Sequence, residues 1–497
     1  MALLIRLIWA FFFAEEYWGD AYHNLWIVEE YKAYGEYYDY KNRHVVWLPL
    51  YRVLLIFFNY LISFVQQGSN SLVLLPFLLQ CYYVFLVTKW GIQNLNVKIK
   101  YYGISILVFW PLPIIFSGLQ MPESLALVLT SILVIKLLNK LTTASLITII
   151  VCSSCVALTR HEGTAFLIVL GFIFFVLKDY KRSISIIFGV SLGLSIWSIW
   201  NWKVLGDPFF WLTSKFAASG SGAEEIIRTN GLLVRGAESL LAILFILPFF
   251  PVLLRFFQKE KLMLVFSRLK ERESPVIKVL VGNAIFLAAF FIGSFFFFHG
   301  ADPKYLLVVA LPCSLSIVYY LQSTNNSNPK AFLLLILILI PVYMGVFFYR
   351  SFNLSLEREM GFKIKEAVDI DKTVKIWSDF PPILLYADWD PKNTISSEQI
   401  TILENYSEKA FSITETLKKE RVGYLISARA DRTKLFEYIP EISTGDTVIV
   451  DSITFIRIIT SEPPVWIGLQ KNKNLFDQTE LFVKSKTRPI YLWKLEY

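Results

Sequence analysis

Charged and histidine side chains at the boundaries of long apolar stretches are the residues of this sequence that could do chemistry. An ionisable group near a bilayer is costly and usually serves a function. A carboxylate there can accept a proton from a hydroxyl, whereas arginine, lysine and histidine can hold a phosphate. In chain order the candidates are Asp20, His23, His44, Glu123, Arg160, His161, Glu162, His299, Asp302, Lys304 and Tyr305.

Several of these residues also have an ordinary structural explanation. Residues 15–31 are rich in tryptophan and tyrosine and are typical of an interfacial helix with an aromatic belt. Glu123 follows Pro122, and both residues are favoured in the first turn of a helix. Lys304 could be a flanking anchor that extends toward the membrane surface. Three adjacent titratable groups at 160–162 are more than a simple turn requires, so this cluster favours a functional site.

The elements that must position these groups are membrane helices. The chain has 497 residues, is 55% hydrophobic and has a mean hydropathy of +0.52. Its apolar residues form near-continuous runs, and about 20 apolar residues cross a bilayer as a helix. The predicted segments lie near 2–17, 48–65, 71–89, 101–117, 123–138, 142–158, 163–177, 183–202, 238–256, 279–298, 304–321 and 331–350.

Charge distribution predicts the orientation of these helices. Residues 255–278 carry seven Lys/Arg against three Glu, which indicates a cytoplasmic loop and makes nucleic-acid binding a poor explanation of the net charge of +8. Counting membrane crossings from this loop places two parts of the chain on the extracytoplasmic side. They are the candidate residues after position 90 and the C-terminal region. Residues 14–47 reach the same side only if segment 48–65 or segment 71–89 is re-entrant or interfacial. The apolar part of segment 48–65 covers only 53–65, which is 13 residues and too short to span a bilayer comfortably.

Two domains are predicted, a membrane domain over 1–350 and a soluble mixed α/β domain over 351–497. In the second, strands are expected at 373–379 and 422–427, an amphipathic helix at 397–420, and a hairpin at 446–460 that turns at Asp451-Ser452. The four cysteines lie inside apolar segments and are interpreted as packing residues: Cys81, Cys152, Cys155 and Cys313.

Six short motifs give the chain a resemblance to a known family. It resembles the GT-C superfamily of multi-pass glycosyltransferases that use polyprenyl-phosphate sugars, most closely GPI mannosyltransferase II and its prokaryotic relatives, with protein O-mannosyltransferases more distant. The resemblance covers about residues 14–315. The motifs are WGDAYHN (18–24), WLPLY (47–51), SGLQMPESLAL (117–127), ALTRHEG (157–163), GDPFFW (206–211) and KYLLVVALP (304–312). A lone Asp20 replaces an acidic pair, and Lys304 stands where relatives often have arginine.

The resemblance implies an inverting transfer of a sugar, with mannose favoured, from a polyprenyl or dolichyl phosphate to a hydroxyl of a glycolipid, glycan or protein on the extracytoplasmic face of the cell membrane. No cofactor is expected to be required, although a divalent metal is compatible with the family. Loop 203–237 could close over the donor. The implied roles are catalytic base for Asp20, orientation of the acceptor or the base for Glu123, phosphate binding for Arg160 and Lys304, secondary donation for His161 and His299, and substrate binding for His23, His44 and Tyr305.

Two other classes of function fit part of the sequence. A multi-pass lipid or glycan transporter without transferase chemistry would also have many spans and charges near the membrane, although paired inverted repeats are not visible. A structural or adhesion protein would use the helices only as an anchor for residues 351–497. About twelve spans are far more than an anchor needs.

Overall fold

The computed structural model describes most of the chain, and all structural statements below concern these residues. They are 1–13, 19–35, 48–62, 73–213, 275–295, 303–323, 329–351, 355–378, 380–395, 413–428, 439, 445–461 and 490–497. The predicted segment at 238–256 and most of loop 203–237 lie outside them.

Apolar helices account for most of the described residues up to Ser351, as the continuous hydrophobic runs predicted. Each predicted membrane segment within the described residues coincides with one or more helices. The helices are α1 (Ala2–Ile8), α2 (Gly19–Tyr34), α3 (Leu50–Ile62), α4 (Leu74–Asn94), α5 (Lys100–Val108), α6 (Pro111–Ile115), α7 (Glu123–Leu138), α8 (Thr143–Ala157), α9 (His161–Val176), α10 (Tyr180–Leu205), α11 (Phe210–Thr213), α12 (Pro275–Phe295), α13 (Ala310–Ser323) and α14 (Pro329–Ser351).

Four of the described helical stretches are long and apolar enough to cross a membrane, or five if one bent pair counts as a span. These four are Leu74–Asn94, Tyr180–Val204, Pro275–Gly293 and Lys304–Gln322. Shorter apolar helices of 10–17 residues, among them α3, α8 and α9, accompany them. The first part of the chain is therefore a polytopic helical membrane domain, as predicted.

Three helices differ locally from the uniform spans that the sequence predicted. The segment predicted at 101–117 is broken into α5 and α6 with a bend of 47°, because Pro111 and Pro113 interrupt the hydrogen-bonding pattern of a continuous helix. Helix α1 continues as a π-helical turn over Trp9–Phe13, and α13 is preceded by a 3-10 helix over Pro303–Val309. The bent pair is a second candidate for a re-entrant segment, besides the short α3.

Helix α7 lies at the centre of the helical domain. Eleven of its sixteen residues are buried, including Glu123 and Ser124 at its start. A helix that is hydrophobic on all sides must be covered on all sides, and α7 packs against α4, α8, α12, α13 and the 3-10 helix. The first residue of this central helix is one of the predicted functional carboxylates.

The C-terminal region is mixed α/β, as predicted. Its six-stranded sheet has the order β2-β1-β3-β6-β5-β4, with β2, β1 and β3 parallel and the other neighbours antiparallel. The elements are α15 (Ser355–Glu366), β1 (Lys375–Trp377), α16 (Pro381–Ala387), a 3-10 helix (Pro391–Asn393), β2 (Thr394–Ile395), α17 (Ile413–Glu420), β3 (Val422–Ala428), β4 (Thr447–Val450), β5 (Ile453–Ser461) and β6 (Ile490–Glu496).

The predicted hairpin is present with the predicted turn. Strands β4 and β5 pair antiparallel, and Val450 faces Ile453 across the turn. Asp451 and Ser452 have φ values of +46° and +63°, which two-residue hairpin turns of type I′ require at both central positions. The predicted helix over 397–420 is described only from Ile413 onward, where it is helical.

The contacts divide the chain into two compact units. Unit 1 comprises Met1–Glu15 and Val46–Phe348, and unit 2 comprises Glu16–Val45 and Tyr349–Tyr497. The predicted domain boundaries stay a prediction, but the division adds that residues 16–45, and with them α2, group with the C-terminal region. Nothing in the amino-acid pattern of 16–45 indicated this.

Candidate functional site

Glu123 is the buried carboxylate of unit 1 on which the site is built. It begins α7 after Pro122, and its side chain is only 1% exposed. The next residue extends the polar layer, because Gln80 Nε2 donates to Ser124 Oγ at 3.2 Å, and Ser124 Oγ donates to the Phe116 carbonyl at 3.0 Å. The start of α7 is thus fixed to α4 and to the turn before it.

Arg160 joins this carboxylate to a second one. It lies between α8 and α9 in an extended conformation, and its Nη1 is 3.3 Å from Glu123 Oε1. Its Nε and Nη2 donate to the two carboxylate oxygens of Glu162 at 3.0 Å and 3.1 Å. This two-bond contact uses one of the two edges through which a guanidinium can bind a carboxylate or phosphate in bidentate fashion, the edge formed by Nε and Nη2. Arg160 is therefore oriented by Glu162 on one side and Glu123 on the other.

Lys304 and Tyr305 reach the same place from the 3-10 helix over Pro303–Val309, which packs against α7 and α9. The Arg160 guanidinium carbon lies 5.3 Å from the centroid of the Tyr305 ring, and Lys304 Nζ lies 5.3 Å from the same centroid. Both distances are within the range of a cation–π contact. Lys304 is buried, so its charge adds to that of Arg160 in a region of low solvent access.

The electrostatics of the cluster favour the ionised form of Glu162. Glu162 lies ahead of the apolar segment 163–177. Burial raises the pKa of Glu162, but Arg160, followed by His161 and Lys304, outweighs this effect and holds the pKa below its ordinary value. A carboxyl group with a lowered pKa stabilises the folded protein above its ordinary pKa, and this stabilisation is lost as the pH falls through the lowered value. At neutral pH Glu162 is therefore held in its ionised form next to Arg160.

The Gly-Asp-Pro motif brings an aromatic ring beside the cluster. Gly206 ends α10 with φ +77°, and Asp207 Oδ1 accepts the backbone N–H of Phe209 at 2.8 Å. This tight turn leads into α11, where the Trp211 ring is stacked on His161 with centroids 5.6 Å apart and planes 9° apart. Trp211 was not among the predicted site residues, although its motif was recognised.

The WLPLY motif also approaches the cluster through the backbone. The Leu50 N–H donates to the Leu158 carbonyl at 3.0 Å, so the start of α3 lies beside the turn that carries Arg160. The next residues, Tyr51 and Arg52, are buried. Arg52 was not among the predicted site residues. A buried arginine two positions from this contact is a signal that could have been used.

The structure brings together four of the residues predicted for the site: Glu123, Arg160, Lys304 and Tyr305. His161 adjoins them through its position next to Arg160 and its stack on Trp211. Glu162, which the predicted roles left out, completes the grip on Arg160. Its signal was the charge complementarity of Arg-His-Glu at the start of a helix.

The remaining predicted residues are elsewhere or outside the described residues. Asp20 and His23 lie on α2 in unit 2, where Asp20 is the second residue of the helix. His44 and His299 lie outside the described residues. The catalytic and binding roles of all these residues stay predictions.

Comparison with known proteins identifies the fold. No protein-family model matches the chain, and no curated protein matches by sequence. Among solved structures, ArnT from Cupriavidus metallidurans in the apo state matches with a TM-score of 0.55 and 12% identity, over 90% of this chain and 94% of ArnT. ArnT bound to undecaprenyl phosphate matches with a TM-score of 0.56 and 11% identity, over 99% of this chain and 96% of ArnT. The chain therefore shares its overall fold with the solved ArnT structures.

Proposed function

We propose that this protein is a membrane glycosyltransferase that moves a sugar, mannose by resemblance, from a polyprenyl phosphate to a hydroxyl of a glycolipid, glycan or protein acceptor. The observation that carries the proposal is the cluster of Glu123, Arg160, Glu162 and Lys304 at three helix junctions, in which Glu123 and Lys304 are buried and the other two are partly exposed. It occurs in a chain with the fold of ArnT, and one ArnT structure contains undecaprenyl phosphate.

In the proposed reaction, the acceptor hydroxyl oxygen attacks the anomeric carbon of the sugar as its proton passes to the Asp20 carboxylate. The bond between the anomeric carbon and the phosphate oxygen breaks, and its electron pair stays on the phosphate. The products are the glycosylated acceptor, with inverted configuration, and the polyprenyl phosphate. Cationic groups favour this step because negative charge grows on the leaving phosphate.

The contacts within the cluster assign different tasks to the two cations. Glu162 occupies the Nε–Nη2 edge of Arg160, and Glu123 lies 3.3 Å from its Nη1, so we assign the direct phosphate contact to Lys304, whose ammonium has three donors. Arg160 then contributes its charge and holds Glu123 and Tyr305 in place. Histidines 161 and 299 are the secondary donors in this scheme, and the site faces the extracytoplasmic side. The reaction is proposed to run without a resident metal ion.

The test is transfer from defined donors by purified protein in lipid vesicles. Undecaprenyl- and dolichyl-phosphate mannose are compared with the corresponding glucose and arabinose donors, using glycolipid and peptide acceptors. Product with a mannose donor supports the full proposal, and product with another sugar corrects only the sugar. Folded protein that releases no polyprenyl phosphate from any donor contradicts the enzyme. Movement of the lipid-linked sugar across the vesicle without product would instead identify a transporter.

The substitution Asp20→Asn tests whether Asp20 is the catalytic base or a carboxylate with only a structural role. It removes the proton acceptor while keeping size and hydrogen-bonding capacity, and transfer should fall at least about 100-fold. The matched control is Asp388→Asn, because the Asp388 side chain is 78% exposed and pairs only loosely with Lys365 at 3.7 Å. The control should keep full activity. An Asp20→Asn protein as active as the control would remove Asp20 from the mechanism.

A further inference from the structure

Helix α2, which carries Asp20, is built into the hydrophobic core of the C-terminal unit. Its Trp26 is 6% exposed and belongs to the same core cluster as residues of α15 and α16. Members of this cluster are Leu356, Met360, Ile364, Ile383, Leu384 and Ala387. A buried tryptophan is a large apolar contribution to such a core. Helix α2 is therefore attached to this unit by packing as well as by position.

Two hydrogen bonds hold the ends of α2. Near its start, the hydroxyls of Tyr22 and Tyr386 share a hydrogen bond at 3.0 Å, and their rings make an edge contact with centroids 6.0 Å apart. At its last residue, the Tyr34 hydroxyl donates to the Pro391 carbonyl at 3.3 Å. Contacts at both ends and in the middle fix the tilt of a helix as well as its position.

Tyr386 is itself braced by the neighbouring helix α15. The Phe362 ring lies 5.3 Å from the Tyr386 ring. The guanidinium carbon of Arg358 lies 5.5 Å from the Tyr386 ring and 5.7 Å from the Phe362 ring. These contacts restrict the Tyr386 side chain, so the hydroxyl that meets Tyr22 has a defined place.

The docked side of α2 determines where position 20 lies. Residues four apart share one side of a helix, so Tyr22 and Trp26 form a single docking side. Position 20 is two residues before Tyr22, about 200° around the helix at 3.6 residues per turn. A rotation of α2 about its axis would move position 20 and break the Tyr22 contact together. The contacts with Tyr386 therefore control the rotation of the helix.

We propose that the C-terminal unit sets the orientation of Asp20 through α2, with Tyr386 as a positioning residue and Arg358 and Phe362 as its braces. This inference rests on the proposed function, because it gives Asp20 a reaction to serve. It gives a function to residues of the C-terminal unit, for which the sequence alone predicted none. Small displacements of a reacting group are expensive in rate, so one hydroxyl that is distant in sequence can matter.

Tyr386→Phe removes the hydroxyl and keeps the ring. We expect kcat to fall about five-fold, the factor that corresponds to one ordinary hydrogen bond, while KM for the donor stays within about two-fold. In an Asp20→Asn background the same change should have no further effect, because positioning acts only through Asp20. The matched control is Tyr497→Phe, which removes a hydroxyl that donates to the Leu417 and Val422 carbonyls at 2.7 Å, within the same unit.

Hydrogen exchange of the backbone amides in 21–34 gives a second readout that does not depend on activity. Tyr386→Phe should speed this exchange at least about three-fold relative to wild type, and Tyr497→Phe should not. Unchanged exchange together with unchanged kcat overturns the inference, as does an equal loss of activity with and without Asp20. If the proposed function is wrong, the wild-type protein will give no product with any donor. That result would also contradict the positioning role of Tyr386, and it needs no variant to detect.

Discussion

Replacing Arg160 with methionine is the most direct test of how the buried charges are balanced. Arg160 Nη1 is 3.3 Å from Glu123 Oε1, and the Glu123 side chain is 1% exposed. At an effective dielectric constant of about 20 their attraction is about 5 kcal/mol before desolvation is counted. Removing one partner of a buried pair costs about 3–5 kcal/mol, because the other charge stays buried. We therefore expect Arg160→Met to lower the apparent melting temperature in detergent by about 3–5 °C, because the entropy of unfolding, about 2.1 cal/mol/K per residue, amounts to about 1 kcal/mol/K for 497 residues.

A second substitution separates lost charge balance from lost packing. Glu123→Gln combined with Arg160→Met removes both buried charges and should recover most of the melting temperature. The Glu162 side chain is 24% exposed, so solvent covers part of its charge in either variant. The control is Lys494→Met, which breaks an exposed pair with Glu496 and should change the melting temperature by less than about 1 °C. A double variant less stable than Arg160→Met alone would refute this reasoning.

Three further substitutions test packing and backbone conformation, each by thermal unfolding. A Cβ at Gly193 would lie 2.5 Å from the Ser154 carbonyl oxygen, so Gly193→Leu should destabilise the α8–α10 contact by about 1–3 kcal/mol or more; an unchanged melting temperature would contradict this close approach. Arg6 is fully buried, and its Nε and Nη2 have no hydrogen-bond partner among the described residues. Because burying an unbonded polar group is costly, Arg6→Met should raise the melting temperature. A lower melting temperature would mean that other groups stabilise the guanidinium. Ser452→Gly should stabilise the hairpin by up to about 1 kcal/mol, because glycine tolerates φ +63°, while Ser452→Val should do the opposite.

Local chemistry made much of the fold predictable. Continuous apolar runs can only be helices in a bilayer, so helix positions followed from composition. The turn at Asp451-Ser452 followed from two strand patterns separated by two polar residues. Charge counting put Glu123, Arg160 and Lys304 at helix ends on one side of the membrane. Their convergence in one cluster agrees with that prediction, because helix ends on one side of a compact bundle are neighbours.

The contacts between residues that are far apart in the chain could not be predicted from the sequence. Tyr22 and Tyr386 are 364 positions apart, and neither belongs to a pattern that marks it as a partner of the other. The aromatic residues of 15–31 were interpreted as typical of an interfacial helix, but an aromatic helix can face a membrane surface or a protein core. Trp26 packs in a protein core, and this choice depends on α15 and α16 being present. The placement of α2 is therefore a tertiary effect that no local signal specifies.

The two hydrogen bonds between Arg160 and Glu162 change how the role of Lys304 is interpreted. Relatives in the family that the chain resembles often have arginine at the position of Lys304, and arginine can bind a phosphate in bidentate fashion, whereas lysine cannot. In the structure the Nε–Nη2 edge of the Arg160 guanidinium is already bound to Glu162, and its Nη1 faces Glu123. Under the proposed reaction the phosphate would then meet a point charge that attracts it without fixing its orientation. A leaving group must be stabilised as it departs and then released. In the proposed reaction, Lys304 next to an Arg160 that Glu162 and Glu123 hold in place would meet both requirements.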